Sequence, residues 1–454
     1  MTVIHRRRRL ISQWDQRTTL SIFYGGVGCG LQSSRETHII VMIVKETVLN
    51  QVSLHRSKGG LAMNIGIFTD TYFPQVSGVA TSIKTLRDQL EKQGNQVYIF
   101  TTTDPHVERN VYERNVFRFS SIPFVSFTDR RIAVRGLFQA YQIAKELNLD
   151  IIHTQTEFSM GWIGKFVARN LEIPCLHTYH TMYEDYLHYV ANGKILKPVH
   201  VKQGTLAFCY HLTGVVAPSD RVLTTLTDYG VKAPIRVIPT GVNLHQYEQP
   251  DTADLRRQLG FAPDTPVILS LSRLAYEKNI TASIAAMPRI LAAVPQAQLL
   301  IVGEGPARED LEQQVRDSQL EDHVHFTGEV NNDDVFRYYH MANVFLSSSD
   351  SESQGLTYIE AMAAGTKIVV MTSPYTDELL SSRALGVTFK TTDEMVANVI
   401  DYLRHGDDEQ DPELLASKLS EISADTFGQR IVAFYRDAQV SYEQAHEDTP
   451  DFSD

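Results

Sequence analysis

From residue 63 onward, short apolar runs alternate with longer stretches in which apolar residues recur every three or four positions. Short apolar runs bounded by turn residues are typical of buried strands, and the longer spacing is typical of amphipathic helices. Strands are predicted at 65–68, 97–101, 151–153, 215–217, 267–271, 298–302, 324–326, 344–346 and 367–371. Helices are predicted at 79–93, 137–147, 162–170, 220–229, 281–293, 307–319, 333–340 and 357–364.

This alternation predicts an α/β fold with parallel sheets covered by helices on both faces. The two series join near residues 238–243, so we predict a pair of doubly wound, Rossmann-like domains, 63–243 and 244–424, that face each other across a cleft. Residues 425–454 are predicted to form an amphipathic helix that packs against the rest of the protein, followed by a tail. Ligands of such folds bind at the carboxyl ends of strands, which places the site between the domains.

The first 62 residues show no sustained alternation of the apolar runs of buried strands with the apolar spacing of amphipathic helices. They contain an arginine run at 6–9 and a glycine-rich stretch at 25–30 that lacks the strand and helix of a dinucleotide-binding motif. We expect a flexible extension, or a start-site artefact in which Met63 is the working initiator.

Composition and charge narrow the function classes. The chain has 454 residues, 43% of them hydrophobic, which excludes disorder as a description of the whole. Its 3 cysteines are widely spaced, so neither a disulfide framework nor a thiolate metal site is expected, and no run of 18 uncharged apolar residues predicts a membrane span. The net charge of -12 is concentrated after residue 243, which argues against nucleic acid there, while the slightly basic first half could face an anionic surface.

The strongest candidate motif is the segment 351–365, which follows a predicted strand and opens a predicted helix. Its first-turn amides are free to hold an anion. Glu352 and Glu360, eight residues apart, could bind hydroxyls on two parts of one ligand. A helix N-terminus with favourable acidic residues is the alternative interpretation.

Three further strand ends point to the same cleft. Arg273 and Lys278 lie in a strand-to-helix loop where a phosphate would sit, although either cation alone could be a solvated surface residue. Gly303 to Pro306 form a glycine turn after the next strand, and Gly328 with Glu329 ends another.

Together these motifs resemble the retaining GT-B glycosyltransferases of family four, in the family's order and over essentially all of the chain after Met63. The resemblance implies that Glu360 binds the ribose of a nucleotide sugar, that Glu352 binds the transferred hexose, and that Arg273 and Lys278 neutralise the departing diphosphate. It implies backbone contacts to the base near Gly328 and Glu329. The remaining donor-binding candidates are Gly78, Gly303, Gln354, Gly355 and Leu356.

Diphosphate departure can be stabilised by a helix N-terminus and two cations, so no metal and no tightly bound cofactor are expected. The hypothesis is a retaining transfer in which the leaving oxygen and the acceptor hydroxyl lie on the same face of the sugar. A double displacement through an enzymic nucleophile stays open.

The first half supplies the acceptor side. The loop 70–79, with Gly78, is similar to the family loop that meets the diphosphate. The run 177–189 mixes histidine, acids and tyrosine after a short strand, which favours a site lining over core packing. His180 matches the family histidine near the sugar and is a catalytic candidate; Tyr183, Glu184 and Asp185 are candidates for acceptor binding.

The runs 177–189 and 351–358 resemble more narrowly the bacterial diacylglycerol glucosyltransferases of membrane glycolipid and lipoteichoic acid anchor synthesis. That resemblance implies a UDP-glucose donor, a diacylglycerol acceptor, an α-glucosyl product and a cytoplasmic protein attached peripherally to the inner face of the cell membrane. Basic residues near apolar helices predict the membrane patch: Arg130, Arg131, Arg135, Lys194, Lys197 and Lys202. Buried helices with solvated lysines are the alternative interpretation.

Several function hypotheses therefore stay open at this point. The transferase could use another donor hexose, such as galactose, or a soluble or polyprenyl-linked acceptor. A non-catalytic membrane-associated scaffold and a sugar-nucleotide epimerase on the same fold are alternatives from other classes.

Overall fold

The structure is a computed structural model that describes residues 62–75, 77–105, 107, 113–124, 127–184, 197–247, 253–331, 333–349, 351–406 and 411–447. The chain divides into two units, residues 1–62 and 63–454. Only Ala62 of the first unit is described, so the predicted extension lies outside the described residues.

The first half of the second unit is built on a seven-stranded parallel sheet of order β3-β2-β1-β6-β7-β8-β9. The strands are β1 (Asn64–Phe68), β2 (Gln96–Thr102), β3 (Val116–Phe119), β4 (Ser121–Phe124), β5 (Phe127–Ala133), β6 (Ile151–Thr154), β7 (Cys175–Thr178), β8 (Gly214–Ala217) and β9 (Ile235–Val237). Strands β4 and β5 form a separate antiparallel hairpin. The helices are α1 (Gly78–Lys92), α2 (Leu137–Glu146), α3 (Ser159–Leu171), α4 (Pro198–Cys209) and α5 (Asp220–Tyr229).

The second half is built on a six-stranded parallel sheet of order β12-β11-β10-β13-β14-β15. Its strands are β10 (Val267–Leu271), β11 (Gln298–Val302), β12 (Val324–Gly328), β13 (Val344–Ser347), β14 (Lys367–Met371) and β15 (Gly386–Phe389). The helices are α6 (Ala253–Gln258), α7 (Ile280–Ala293), α8 (Arg308–Asp317), α9 (Val335–Met341), α10 (Leu356–Ala363), α11 (Pro374–Leu379), α12 (Thr392–His405), α13 (Pro412–Glu421) and α14 (Ala424–Glu447).

Each sheet is buried on both faces, which explains why its strands are apolar almost throughout. In the second half one core contains Leu299 and Ile301, whereas the opposite face contains Leu300 and Val302. The first half likewise has a core on each face of its sheet. The predicted fold class, two doubly wound Rossmann-like sheets, is confirmed.

The short strand expected before the run 177–189 is β7, which was given no bounds because His177 interrupts its apolar run. Strands β3, β9 and β15 were also missed because each has only three or four residues, and the hairpin β4–β5 was missed because charged residues interrupt β5. The predicted join at residues 243 and 244 falls between the last strand of the first sheet and the first strand of the second.

The last helix, α14, crosses back to the first half. Phe427, Ile431 and Tyr435 are buried in the core that contains β1, as the amphipathic pattern predicted. Ion pairs from Lys92 to Asp425 at 2.7 Å and from Arg236 to Asp437 at 2.6 Å lie along the same contact. Among the described residues, the first strand and the last helix therefore both belong to the first half, and α14 ties the two halves together.

Candidate active site

Two helix N-termini meet where the two halves face each other. Helix α1 begins at Gly78, capped by the Ser77 side chain, and helix α10 begins at Leu356 after Gly355. A Cβ placed on Gly78 would lie 3.7 Å from Leu356 Cδ1, so the first turns are in near contact. Gly355 has a φ of +69°, a left-handed conformation that glycine adopts without strain. Both helix N-termini carry partial positive charge and suit an anionic ligand.

Glu352 and Lys278 form an ion pair across this site. Lys278 Nζ lies 2.5 Å from Glu352 Oε1, and both side chains are largely buried, at 16% and 20% exposure. Burial alone would raise the pKa of Glu352, but the ion pair with Lys278 and the nearby Arg221 outweigh it and lower the pKa. Glu352 is therefore a carboxylate at neutral pH, and a bound phosphate would have to compete with it for Lys278.

Glu360, one turn into helix α10, has a different environment. The hydroxyl of Tyr339, a fully buried residue of α9, donates to Glu360 Oε2 at 2.7 Å. Burial raises the pKa of Glu360 to about 7, although the Tyr339 hydrogen bond favours the charged form. The two glutamates of one motif thus differ in charge behaviour.

The glycine turn after β11 packs directly against the loop that carries Arg273. A Cβ on Gly303, where φ is +137°, would lie 2.0 Å from the carbonyl oxygen of Ser272. The Leu274 amide also donates to the Glu304 carbonyl at 2.9 Å. These contacts hold the backbone of the loop in place. The side chain of Arg273, which this loop carries, is exposed.

The third strand end lies beside the glycine turn. The Gly303 amide donates to the carbonyl of Gly328 at 2.9 Å, and Glu329 is exposed. The Arg308 guanidinium pairs with Glu304 and, at 2.8 Å, with Glu312. The strand ends of β10, β11 and β12 are therefore brought together as predicted from their chain order, whereas their contacts to a base stay a prediction.

On the acceptor side, His180 follows β7 and faces the end of β6. Its Nε2 lies 2.7 Å from Gln155 Oε1, and its carbonyl accepts a hydrogen bond from Ser353 at 2.8 Å. The Ser353 contact joins the acceptor side directly to the motif that carries Glu352. The predicted catalytic residues His180, Glu352 and Lys278 are thus brought into one region.

The acceptor-binding candidates are already engaged within the fold. The hydroxyl of Tyr183 donates to Glu157, which also lies 3.0 Å from His177 Nε2. The hydroxyl of Tyr229 donates to Glu184 at 2.5 Å. Asp185 lies outside the described residues.

Gln354, predicted to bind the donor, has both ends of its amide on Thr240. The Thr240 amide donates to Gln354 Oε1 at 2.9 Å, and Gln354 Nε2 donates to the Thr240 carbonyl at 2.7 Å. Both side chains are buried. In this structure Gln354 binds the segment that joins the two halves.

The predicted membrane patch is only partly described. Arg135 and Lys197 are exposed, while Lys194 and the side chain of Arg130 lie outside the described residues. The Arg131 guanidinium donates to the Ser121 hydroxyl and carbonyl, both at 2.8 Å. Lys202 is partly exposed and donates to a carbonyl of helix α5 at 3.2 Å. Among the described helices, none combines the length and the apolar character that a membrane span needs.

Sequence reasoning missed the residues that act on the predicted ones. Arg221 donates to the Glu352 carbonyl at 2.9 Å and lies in the first turn of α5, four residues after β8 ends, so the rule that sites lie at the carboxyl ends of strands could have found it. Gln155 directly follows β6, so the same rule could have found it. Tyr339 gave no sequence signal, because its spacing is that of an ordinary core residue.

Comparison with known proteins places the chain in a family. Residues 76–246 match the family model "Glycosyltransferase Family 4", and residues 251–415 match "Glycosyl transferases group 1". The chain is 45% identical to an alpha-monoglucosyldiacylglycerol synthase of Streptococcus pneumoniae, over 84% of this chain and 87% of the relative. It is 32% identical to a synthase of the same name from Acholeplasma laidlawii, over 82% and 95% of the two chains.

Among solved structures, the fold is similar to a sucrose-phosphate synthase from Thermosynechococcus elongatus, with a TM-score of 0.67 and 22% identity. The match covers 84% of this chain and all of that one. The second family-model match, 251–415, includes Glu352 in the loop before α10 and Glu360 within that helix. The chain therefore belongs to the family-four glycosyltransferases of the GT-B fold.

Proposed function

We propose that this protein is a retaining hexosyltransferase that moves glucose from UDP-glucose to the 3-hydroxyl of 1,2-diacylglycerol and forms α-monoglucosyldiacylglycerol. The observation that carries the proposal is the likeness to the Streptococcus pneumoniae synthase across 84% of this chain, which includes the acceptor side as well as the donor side. The site residues support it, because one motif supplies a carboxylate beside a lysine and, eight residues later, a second carboxyl group in helix α10.

In this proposal Glu360 accepts hydrogen bonds from the ribose hydroxyls, and Glu352 accepts them from the glucose hydroxyls. Lys278 and Arg273, together with the N-termini of α1 and α10, stabilise the charge that develops on the diphosphate as its bond to the sugar breaks. This electrostatic stabilisation requires no metal ion.

The acceptor hydroxyl attacks the anomeric carbon from the face that the diphosphate leaves, and its proton passes to the departing phosphate oxygen. His180 borders the sugar on the acceptor side. Closure of the two halves excludes water from the reaction.

A donor-by-acceptor assay tests the proposal. Purified protein is given UDP-glucose or UDP-galactose with diacylglycerol in anionic vesicles or with soluble acceptors, and the anomer of the product is determined by NMR. We expect an α-glucolipid from UDP-glucose and diacylglycerol. Product from soluble acceptors with none from lipid would favour the soluble-acceptor alternative, and turnover unaffected by Glu352→Gln would contradict the site.

We also propose that the first half attaches the protein to the anionic inner face of the cell membrane. Six of the eight large apolar side chains exposed among the described residues lie between 122 and 210: Ile122, Val134, Phe138, Trp162, Val199 and Tyr210. Phe138 is 76% exposed, and Lys165 lies 4.8 Å from the Trp162 ring. Exposed aromatic residues next to lysine and arginine suit the interface of an anionic bilayer.

Vesicle sedimentation tests this attachment. The double variant Phe138→Ala/Trp162→Ala should bind anionic vesicles at least about tenfold more weakly, since each large apolar side chain contributes about 1.5–3 kcal/mol on burial. The matched control Tyr276→Ala/Val440→Ala removes two exposed apolar side chains elsewhere and should bind as the wild type does. Equal binding by both double variants would refute the assigned surface.

A further inference from the structure

Three consecutive residues of the donor-side motif, 352–354, are hydrogen-bonded to the first half of the protein. Arg221 donates to the carbonyl of Glu352 at 2.9 Å, and the Ser219 hydroxyl donates to the carbonyl of Ser353. The Ser353 hydroxyl in turn donates to the carbonyl of His180 at 2.8 Å. The loop that carries the proposed sugar-binding carboxylate is therefore itself a contact between the two halves.

Gln354 completes this contact with a two-armed bond to the backbone of Thr240. The distances are 2.9 Å and 2.7 Å, and the two residues are only 4% and 3% exposed. The Thr240 hydroxyl lies 2.7 Å from the hydroxyl of Ser82, which is in helix α1. The side-chain amide thus pairs with a peptide as a neighbouring strand would, and it satisfies two buried backbone groups that no longer contact water.

We infer that Gln354 is a positioning residue that holds Glu352 in register with His180 by binding the segment that joins the two halves. The inference rests on the proposed function and adds to it a residue that acts through Thr240 rather than on the donor. Both ends of the amide are engaged at normal hydrogen-bond lengths. Loss of this bond leaves a buried amide and a buried carbonyl unpaired, which favours the open arrangement of the halves.

The consequence for the reaction concerns water. When the halves are held together, the glucosyl group passes to the lipid hydroxyl. When they separate, water can take its place: the bond from the anomeric carbon to the phosphate oxygen breaks, a bond to the water oxygen forms, and free glucose, nucleoside diphosphate and one proton are released. Gln354 should therefore control the partition of glucose between lipid and water.

The first test compares Gln354→Met with the matched control Gln298→Met. Gln298 also has a two-armed amide, on His323 and His325, but both partners lie in the second half. We expect Gln354→Met to raise the ratio of glucose release to glucolipid formation at least fivefold, and the control to leave it unchanged. An unchanged ratio in Gln354→Met, at full folding, would overturn the inference.

A second measurement needs no turnover. In hydrogen–deuterium exchange of the full chain, Gln354→Met should increase exchange in the peptide that contains His180 and in the peptide that contains Thr240, whereas Gln298→Met should change neither. If the wild type transfers no glucose at all, the proposed function fails, while this arm still decides the role of Gln354. Unchanged exchange at His180 would overturn the coupling.

Gln354→Glu gives a signature that a purely structural loss would not give. A protonated carboxylic acid can donate to the Thr240 carbonyl and accept from its amide as glutamine does, whereas the carboxylate faces the carbonyl with two acceptors. We expect near wild-type partition at pH 6 and increased hydrolysis at pH 8.5. Should Gln354→Met precipitate, this comparison alone decides, and a partition in Gln354→Glu that does not depend on pH would overturn the inference.

Discussion

Removing the hydroxyl that donates to Glu360 should move the pH dependence of donor binding. Burial holds the pKa of Glu360 at about 7, and the hydrogen bond from Tyr339 keeps it from rising further. In the proposed role the ionised carboxylate accepts from the ribose hydroxyls. The KM for the donor should therefore be lowest above pH 7 and rise as the pH falls through that value, because the protonated acid loses an acceptor.

Tyr339→Phe removes only the hydroxyl. A hydrogen bond to a charged group contributes about 1.5–3 kcal/mol, and one pKa unit corresponds to about 1.4 kcal/mol, so the pKa of Glu360 should rise by about 1–2 units. At pH 8 the donor KM should then increase about two- to tenfold over wild type, and by more at pH 6. The difference should disappear at high pH, where both carboxyl groups are ionised.

Initial rates of nucleotide release between pH 6 and 9.5, with the donor concentration varied, measure this shift. The control is Tyr358→Phe, which removes the hydroxyl of another fully buried tyrosine whose partner at 3.2 Å is the uncharged Ser347. A Tyr339→Phe profile that superimposes on that of wild type, or one in which only kcat moves, would refute the assignment of Glu360 to the donor.

Three further outcomes are expected. Glu352→Gln should lower kcat/KM about 10–100-fold in the lipid assay, since hydrogen bonds to a charged group contribute about 1.5–3 kcal/mol, and it should lower the melting temperature because the largely buried Lys278 loses its ion pair; a wild-type rate would contradict the site. Gly303→Ala should lower the free energy of unfolding in urea by at least about 1–3 kcal/mol, because its Cβ would meet the Ser272 carbonyl at 2.0 Å. His153→Leu should cost about 2–4 kcal/mol in the same assay, because two buried hydroxyls, one of them on Tyr435, lose their partner; unchanged stability would show that the crossing of α14 does not depend on this contact.

The sequence determined the sheets and the edge at which the site lies. Predicted and observed bounds coincide for β10, β11, β14 and α5, because a buried parallel strand must be apolar on both faces and a covering helix must be apolar on one. Once strands and helices alternate, the carboxyl ends of the strands meet at one edge. The motifs that follow those strands had to come together there, and Glu352, Lys278 and Gly303 did.

The partner of each polar side chain was decided only by the tertiary structure. Gln354 binds Thr240, 114 positions away, and His153 binds Tyr435, 282 positions away. Nothing local in the sequence selects such partners. A hydrogen bond forms only if the donor-to-acceptor distance is correct to within a few tenths of an ångström, and the positions of these two segments follow from the packing of both cores. From the sequence, the glutamine next to the glutamate motif was predicted to bind the donor, and only the structure shows the backbone that it binds.

Tertiary packing also explains why the two glutamates of the motif differ in pKa. The sequence determined that they lie eight positions apart, Glu352 in the loop before one helix and Glu360 about one turn into it. Only the tertiary structure set Lys278 beside Glu352, which lowers the pKa of the first carboxyl group, and buried Glu360, which raises the pKa of the second. Local sequence fixes where a charge is carried along the chain, whereas burial and remote neighbours fix whether the group is charged at all.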